Sequence, residues 1–171
     1  MVREIVIYPD KRLKFISKEV TSFDANLHTL LDDMFETMIS KKGVGLAAIQ
    51  IGVDKRVLII NIPEEDDDDA IQLQSNTIEI INPVFIKKNG LCKHQEGCLS
   101  IPGVYEDIER AERIVIEYHN RDGEKEIIED SDFLAIAIQH EIDHLDGKVF
   151  IEKLSFTKRK KFEKEWKKRQ K

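Results

Sequence analysis

The stretch QHEIDHLDG, residues 139–147, sets two histidines four positions apart with a glutamate directly after the first. It ends a segment, residues 131–147, whose nearly all-round apolar character predicts a buried central helix. Residues four apart lie on the same face of a helix, so His140 and His144 can present both imidazoles to one metal ion. Glu141 is turned by about 100° from His140 and can accept a proton from water beside the ion. We interpret the motif as a metal site; two ordinary core histidines are the simpler alternative.

A catalytic ion is usually held by three protein ligands and keeps one open position, so a third ligand is needed. One protease class has a third histidine where this chain has Phe150, which cannot bind a metal. Glu163 and Glu165 have the spacing of another class, but they lie in a lysine-rich segment where exposed charges are expected. Cys98 is the stronger candidate, because the glycine before it lets the backbone approach closely. Cys92 remains the alternative thiolate.

Length and composition limit the class of protein. A chain of 171 residues with 41% hydrophobic and 35% charged side chains is what we expect of one globular domain, residues 1–171. It has no run of about 18 apolar residues, so we expect no membrane span. The N-terminal segment lacks the apolar core and cleavage site of a signal peptide. Two cysteines are too few for a disulfide scaffold and favour a cytoplasmic protein with unpaired thiols.

The net charge of −6 is unevenly distributed along the chain. Residues 155–171 contain nine lysine and arginine residues and two glutamates, a net charge of +7, so the other residues carry −13. Such blocks are usually interaction surfaces or solvated faces. The acidic run at residues 64–69 predicts a solvated loop, because six adjacent carboxylates cannot be desolvated together.

Hydrophobic patterning predicts an α+β fold, with antiparallel β-sheets packed around the central helix. Residues 23–43 have leucines and methionines at spacings of three and four, which indicates an N-terminal helix that Asp24 can cap. Residues 56–62 and 78–86 have the character of strands, the second bent at Pro83.

The second half of the chain predicts a hairpin and two helices. Residues 113–120 alternate in polarity before an Arg-Asp-Gly turn, and residues 124–129 return, which indicates a β-hairpin. The central helix has Ser131 or Asp130 as its candidate cap and Gly147 at its end. A basic C-terminal helix begins near residue 155.

Three separate segments carry a family resemblance. They are GVGLAAIQ at residues 43–50, EGCLS at residues 96–100 and QHEIDH at residues 139–144. Their order and spacing resemble the peptide deformylase family over nearly the whole chain. The first segment lacks the glycine spacing and the preceding strand of a dinucleotide site.

The resemblance implies a hydrolase that removes the formyl group from the N-terminal formyl-methionine of nascent polypeptides. Cys98, His140 and His144 would bind the ion through sulfur and two nitrogens. Glu141 would take a proton from water and pass it to the leaving amine.

The resemblance also implies the oxyanion donors and the metal. The donors are the side-chain amide of Gln50 and the backbone N–H of Leu99; without the resemblance, Gln50 would be a surface amide at a strand entrance. Residue types alone favour zinc. The resemblance implies Fe²⁺ in the cell, with Zn²⁺, Ni²⁺ or Co²⁺ able to occupy the site.

Substrate contacts follow from the same resemblance. The backbone of Val44, Gly45 and Gly97 would pair with an extended peptide in the manner of a strand. Glu96 and Arg110 match a charge pair that supports the site from behind. The methionine pocket would be lined by Val44, Phe133, Ile136 and Ala137, with His140 as one wall; on their own, these residues are typical of ordinary core.

One position departs from the family pattern. Tyr105 stands seven residues after Cys98, where many relatives have an arginine that helps to hold the peptide backbone. The downstream substrate contact is therefore unassigned, whereas the metal chemistry is unaffected.

The predicted partners are N-formylmethionyl nascent peptides and the ribosome, with no membrane or DNA. Similar tails in the family dock on ribosomal RNA, and phosphates attract a charge of +7. The alternative is a solvated end that packs Phe156, Phe162 and Trp166 onto the body. Two other functions stay open: a small H-E-x-x-H zinc peptidase, which would survive loss of Cys98, and a non-enzymatic RNA-binding module, which has no use for Glu141.

Overall fold

The computed structural model describes residues 1–64 and 71–171, and it has the α+β fold predicted from the sequence. The acidic run at residues 64–69 lies outside the described residues apart from Glu64. The helices are α1 (Ala25–Ser40), α2 (Phe133–Leu145) and α3 (Phe156–Arg169). The strands are β1 (Gly45–Ala47), β2 (Val57–Ile60), β3 (Ile78–Asn89), β4 (Cys92–Cys98), β5 (Ile101–Arg110), β6 (Arg113–His119) and β7 (Lys125–Asp130).

A five-stranded sheet in the order β1-β2-β3-β6-β7 separates two core layers, and β4 and β5 form a second, two-stranded sheet. The five strand pairs formed by the described residues are all antiparallel. Successive side chains of a strand face opposite sides. Leu58 and Ile60 therefore join the layer that contains α2, whereas Val57 and Ile59 join the layer that contains α1. The buried strand predicted around residues 56–62 is confirmed.

Strand β3 bends where Pro83 predicted a bend. Asn82 has a φ of 51°, and the pairing of β3 with β6 shifts its register between Ile81 and Val84. The side chain of Asn82 accepts a hydrogen bond from the backbone N–H of Val20 at 2.9 Å and donates one to its carbonyl at 2.8 Å. The predicted hairpin of β6 and β7 is also confirmed.

Helix α1 forms because its apolar side chains repeat along one face. Asp24 caps it, with its carboxylate accepting from the N–H of Leu27 at 3.1 Å. The leucines and methionines of this face are all buried: Leu27, Leu30, Leu31, Met34 and Met38.

Helix α2 is the buried central helix that the sequence predicted. Asp130 caps it: one carboxylate oxygen accepts from the N–H of Asp132 at 2.9 Å and from that of Ala135 at 3.0 Å. Gly147 follows its end with a φ of 72°, and a Cβ there would lie 2.5 Å from the carbonyl oxygen of Lys14. This conformation and this close contact both require glycine.

Helix α3 packs on the body through Phe162 and Trp166, which are buried and stacked at a ring distance of 5.7 Å. The expectation that Phe156 packs with them is wrong, because its side chain is 78% exposed. Phe156 is the first residue of the helix and lies against Lys160 instead, with the ammonium 5.5 Å from the ring centre. No helix among residues 1–64 and 71–171 has the length and apolarity needed to cross a bilayer.

Candidate metal centre and active site

Three side chains, one from strand β4 and two from helix α2, converge at one place. Cys98 is the last residue of β4, and His140 and His144 project from α2 one turn apart. One ligand atom from each lies within 4.8 Å of the other two. The sulfur of Cys98 is 3.3 Å from Nε2 of His144. This is a compact set of sulfur and nitrogen donors.

Local backbone irregularity directs Cys98 toward the helix. The pairing of β4 with β5 shifts its register between Glu96 and Cys98, so Gly97 lies in a bulge. A Cβ at Gly97 would lie 2.7 Å from the ring of Tyr105, and this close contact explains why the position is occupied by a residue without a side chain. The alternative thiol, Cys92, lies at the other end of β4, 3.9 Å from the carbonyl oxygen of Ala111 and outside the donor set.

Two of the other rejected ligands likewise contribute no atom to the donor set. Phe150 stacks on the ring of His140 at a centroid distance of 6.0 Å. Glu163 lies on α3 and pairs with Arg159 at 3.5 Å and Lys160 at 3.7 Å. The negative charge of Glu163 is thus paired with cations of the same helix, as its lysine-rich surroundings predicted.

A buried ion network orients His140. Its Nδ1 lies 2.8 Å from a carboxylate oxygen of Glu96, which leaves Nε2 for the donor set. Arg110 donates to both oxygens of Glu96, at 2.5 and 2.7 Å, and to Asp143 at 2.8 Å. Burial alone would raise the pKa of Glu96, but the hydrogen bonds from His140 and Arg110 hold that pKa below its usual value. The charge pair predicted from Glu96 and Arg110 is therefore present directly behind the histidine.

The two imidazoles have opposite electrostatic surroundings. Burial opposes a charge on His140, yet the hydrogen bonds that its ring makes with Cys98 and Glu96 raise its pKa. Burial and the neighbouring His140 lower the pKa of His144, and its Nδ1 has no hydrogen-bond partner within the described chain. A neutral His144 is suited to receive a cation, because a neutral imidazole binds metals through its lone pair, and the sulfur of Cys98 beside it would bind the same cation as a thiolate.

Glu141 follows His140 on the same turn of α2 and lines a cavity. It is 6% exposed, and its Oε2 has no hydrogen-bond partner among the described residues. Burial raises the pKa of Glu141 to about 7. A carboxyl group with such a pKa can both accept and release a proton near neutral pH.

Gln50 is buried in a short 3₁₀ helix, Ala48–Ile51, not on the surface at a strand entrance. Its carbonyl oxygen accepts from the N–H of Ala47 at 2.9 Å, which orients the amide. Its NH₂ group donates to Ser100 Oγ at 3.2 Å and to the sulfur of Cys98 at 3.4 Å. Leu99 lies between them, in the turn that joins β4 to β5.

This cavity, which we call the catalytic cavity, has a volume of about 680 Å³ and joins these groups. Its walls include every residue predicted for substrate binding, together with the proposed catalytic residues: Val44, Gly45, Gly97, Phe133, Ile136, Ala137, Gln50, Leu99 and Glu141. Arg110 is not in its walls, in agreement with its place behind Glu96.

Sequence reasoning missed two residues of the site. Asp143 shares Arg110 with Glu96, and its position three residues after His140 was a detectable signal, because such residues are neighbours on a helix. Ser100 receives the amide of Gln50, and only the tertiary structure brings these residues together.

The model of the family described as polypeptide deformylase matches residues 2–160. The chain belongs to the polypeptide deformylase family. A peptide deformylase from Helicobacter pylori (strain G27) is 58% identical over 168 residues, which cover 98% of this chain and 95% of that relative. The crystal structure of peptide deformylase from Ehrlichia chaffeensis matches with a TM-score of 0.87 at 43% identity, covering 100% of this chain and 98% of the other. A structure of the Ehrlichia enzyme in complex with actinonin has a TM-score of 0.88, 43% identity, and coverages of 98% and 97%.

Membership of the polypeptide deformylase family makes the chain a metal-dependent hydrolase that removes the formyl group from the N-terminal formyl-methionine of nascent polypeptides, releasing formate. The family and the enzyme class predicted from three motifs are confirmed. The alternative of a small H-E-x-x-H zinc peptidase is not favoured by these matches.

Proposed function

We propose that Cys98, His140 and His144 bind one divalent ion and that this ion is Fe²⁺ in the cell. The convergence of their three donor atoms within 4.8 Å is the observation that carries the proposal. One thiolate and two imidazoles also suit Zn²⁺, Ni²⁺ and Co²⁺, which we expect to replace Fe²⁺ in purified protein. When bound, the ion lowers the pKa of a water molecule and polarises the formyl carbonyl.

Glu141 moves the proton in this proposal. Its carboxylate accepts a proton as water attacks the formyl carbon, and it then delivers that proton to the leaving amine. Both steps are supported by Oε2 of Glu141, which has no hydrogen-bond partner in the part of the chain that the structure describes, and by the pKa of about 7 of this residue.

Gln50 and Leu99 stabilise the oxyanion that forms on the formyl oxygen. The amide of Gln50 is held by Ala47 and Ser100, so its N–H groups are oriented before substrate arrives. The backbone N–H of Leu99 is the second donor. Loss of one such donor typically costs about 3 kcal/mol of barrier.

The peptide pairs with the backbone of Val44, Gly45 and Gly97. Strand β1 is at the edge of the five-stranded sheet and has β2 on one side only, which supports the addition of an extended peptide on the other. The methionine side chain enters the apolar wall formed by Phe133, Ile136 and Ala137.

The whole range 1–171 acts as one catalytic domain, and α3 docks on the ribosome. A nascent substrate emerges there, and the outward lysines of the helix suit phosphate contacts. Co-sedimentation with ribosomes, compared between wild type and the Lys164→Ala/Lys167→Ala variant, measures this docking.

Anaerobic release of formate from formyl-Met-Ala-Ser, with metal analysis of the same protein, tests the catalytic proposal. We expect one bound ion per chain in the wild type, no bound ion and no formate in Cys98→Ala, and a bound ion without formate in Glu141→Ala. Cys92→Ala is the matched control and should keep both. Full activity in Cys98→Ala would overturn the assignment of the ligands.

A further inference from the structure

A second cavity lies between β5 and α3, with a volume of about 310 Å³. We refer to it as the α3 groove. Its α3 side is formed by Lys158, Lys161, Phe162, Glu165, Trp166 and Arg169. Its β5 side is formed by Glu106 and by Gly103, Val104 and Tyr105, and the last three also line the catalytic cavity. The two cavities are therefore neighbours that share one wall.

Tyr105 stands at the junction of the two cavities. Its ring covers Gly97, whose missing side chain would lie 2.7 Å from it, and the tyrosine is 65% exposed. A peptide that pairs with the backbone of Gly97, as we propose, would therefore pass beside this ring. The β5 wall that it follows continues into the α3 groove.

The α3 groove has a small excess of positive charge, a net +1, beside an acidic body. It contains three cationic side chains and two carboxylates, whereas the chain outside residues 155–171 carries −13. Within the described part of the chain, Lys158 and Lys161 take part in no ion pair, although Arg159 and Lys160 beside them pair with Glu163. Arg169 is partly fixed: it donates to the carbonyl of Pro102 at 3.3 Å and lies over the ring of Trp166.

We propose that the α3 groove is an extension of the peptide site that binds acidic side chains of the substrate beyond its third residue. This inference rests on the proposed function, because it takes its substrate from the catalytic cavity. Continuity of the wall at Tyr105 supplies the route. Lys158 and Lys161, which have no ion-pair partner among residues 1–64 and 71–171, supply the recognition. The groove accordingly favours nascent chains with aspartate or glutamate soon after the formyl-methionine.

Helix α3 offers a matched control for this assignment. Residues 158, 161, 165 and 169 follow one face at helical spacing, and that face lines the groove. Lys164 and Lys167 lie on the opposite face and outside the groove lining. Removing two charges from either face changes the net charge equally.

The test compares kcat/KM for three peptides: formyl-Met-Ala-Ser followed by three aspartates, three serines or three lysines. Two exposed ion pairs predict that the aspartate peptide is favoured over the lysine peptide by about fivefold at low salt. The preference should shrink at high salt, because screening weakens exposed pairs. Lys158→Ala/Lys161→Ala should bring the ratio close to one, and Lys164→Ala/Lys167→Ala should keep it.

Trp166 gives a second readout that needs no catalysis. It is the only tryptophan in the chain and lines the groove, so its fluorescence should change on titration with the unformylated peptide Met-Ala-Ser-Asp-Asp-Asp. The lysine peptide should produce no such change over the same concentrations.

The outcomes separate this inference from the proposed function. A wild type that releases formate from formyl-Met-Ala-Ser yet hydrolyses the three extended peptides equally would overturn the inference alone. Persistence of the preference in Lys158→Ala/Lys161→Ala would overturn it as well. An equal loss of preference in Lys164→Ala/Lys167→Ala would assign the effect to the general charge of the helix, as expected of a nucleic-acid-binding surface, and would also overturn the groove.

Discussion

At the residue scale, the position of one carboxylate depends on the absence of one methyl group. A Cβ at Gly45 would lie 2.7 Å from Oε1 of Glu141, closer than such atoms approach without movement. Gly45 thus allows β1 to pack directly against the carboxylate that faces the cavity. The glycine contributes by its size, since its φ is not in the left-handed region.

We expect Gly45→Ala to lower kcat on the order of 100-fold while the bound ion is kept. The added methyl group displaces Glu141, and a misplacement of about 1 Å near the chemistry costs a factor of this size. Formate assays with metal analysis measure both quantities. Gly43→Ala is the control, because its Cβ would meet the flexible tip of Leu99 at 2.9 Å and not the carboxylate. Equal losses in the two variants would contradict this role of Gly45.

The raised pKa of Tyr118 predicts how the stability of the protein changes at alkaline pH. Burial and the hydrogen bond to Glu126, at 2.8 Å, raise the pKa of Tyr118 above its usual value. In the unfolded chain a tyrosine ionises near pH 10. The stabilisation is therefore complete below pH 10 and is lost as the pH rises from there toward the folded pKa.

We expect the free energy of unfolding of wild type to fall more steeply between pH 9 and pH 11 than that of Tyr118→Phe. Urea unfolding at several pH values in that range measures the two slopes. Identical slopes would show that ionisation of Tyr118 is not linked to unfolding.

At the element scale, helix α2 is fixed at both ends and along one side. Asp130 caps its start, Gly147 permits the turn at its end, and Gln139 exchanges two hydrogen bonds with the backbone of Ala111, at 3.1 and 2.9 Å. These contacts fix the rotation of the helix about its axis. The direction in which His140 and His144 point follows from that rotation.

We expect Asp130→Ala to lower the free energy of unfolding by about 1 kcal/mol, the usual value of a helix cap. Asp132→Ala is a close control, since Asp132 occupies the cap position but its side chain accepts no capping hydrogen bond. Chemical denaturation of both variants makes the comparison. A larger loss in Asp132→Ala would mean that the cap is wrongly assigned.

At the scale of the whole molecule, the N-terminal segment and helix α3 meet beside Gln50 and Ser100. Trp166 donates to the carbonyl of Tyr8 at 3.1 Å. The segment that contains Tyr8 hydrogen-bonds through Val6 to the carbonyl of Gln50 at 2.7 Å and through Tyr8 to that of Ser100 at 2.9 Å. Helix α3 thus supports, through the N-terminal segment, the residues that we propose as oxyanion donors.

We expect Trp166→Ala to lower the free energy of unfolding by about 3 kcal/mol or more, because it empties a buried aromatic site and leaves the carbonyl of Tyr8 without that donor. Phe156→Ala, on the same helix but exposed, should change it by less than about 0.5 kcal/mol. Thermal and urea unfolding distinguish these values. Similar losses in both variants would contradict the packing assigned to α3.

Much of the site could be predicted because its chemistry is encoded locally. The spacing of His140 and His144 and the identity of Glu141 depend only on helical geometry. The three helices, the bend at Pro83 and the hairpin likewise follow from caps, turns and periodicity. The surroundings of Gln50 were harder to predict from the sequence. Nothing in its local sequence indicates that Ala47, Ser100 and Cys98 surround its amide.

The sequence by itself determined the donor types, the helix that carries two of them and the uneven distribution of charge along the chain. Only the tertiary structure decided that Cys98 and not Cys92 joins the histidines, that Phe156 is exposed, and that the catalytic cavity and the α3 groove share a wall. The physical reason is that periodicity records which face of an element is buried. Which elements then meet depends on strand register and on bulges such as the one at Gly97, and these are set by packing over long sequence separations.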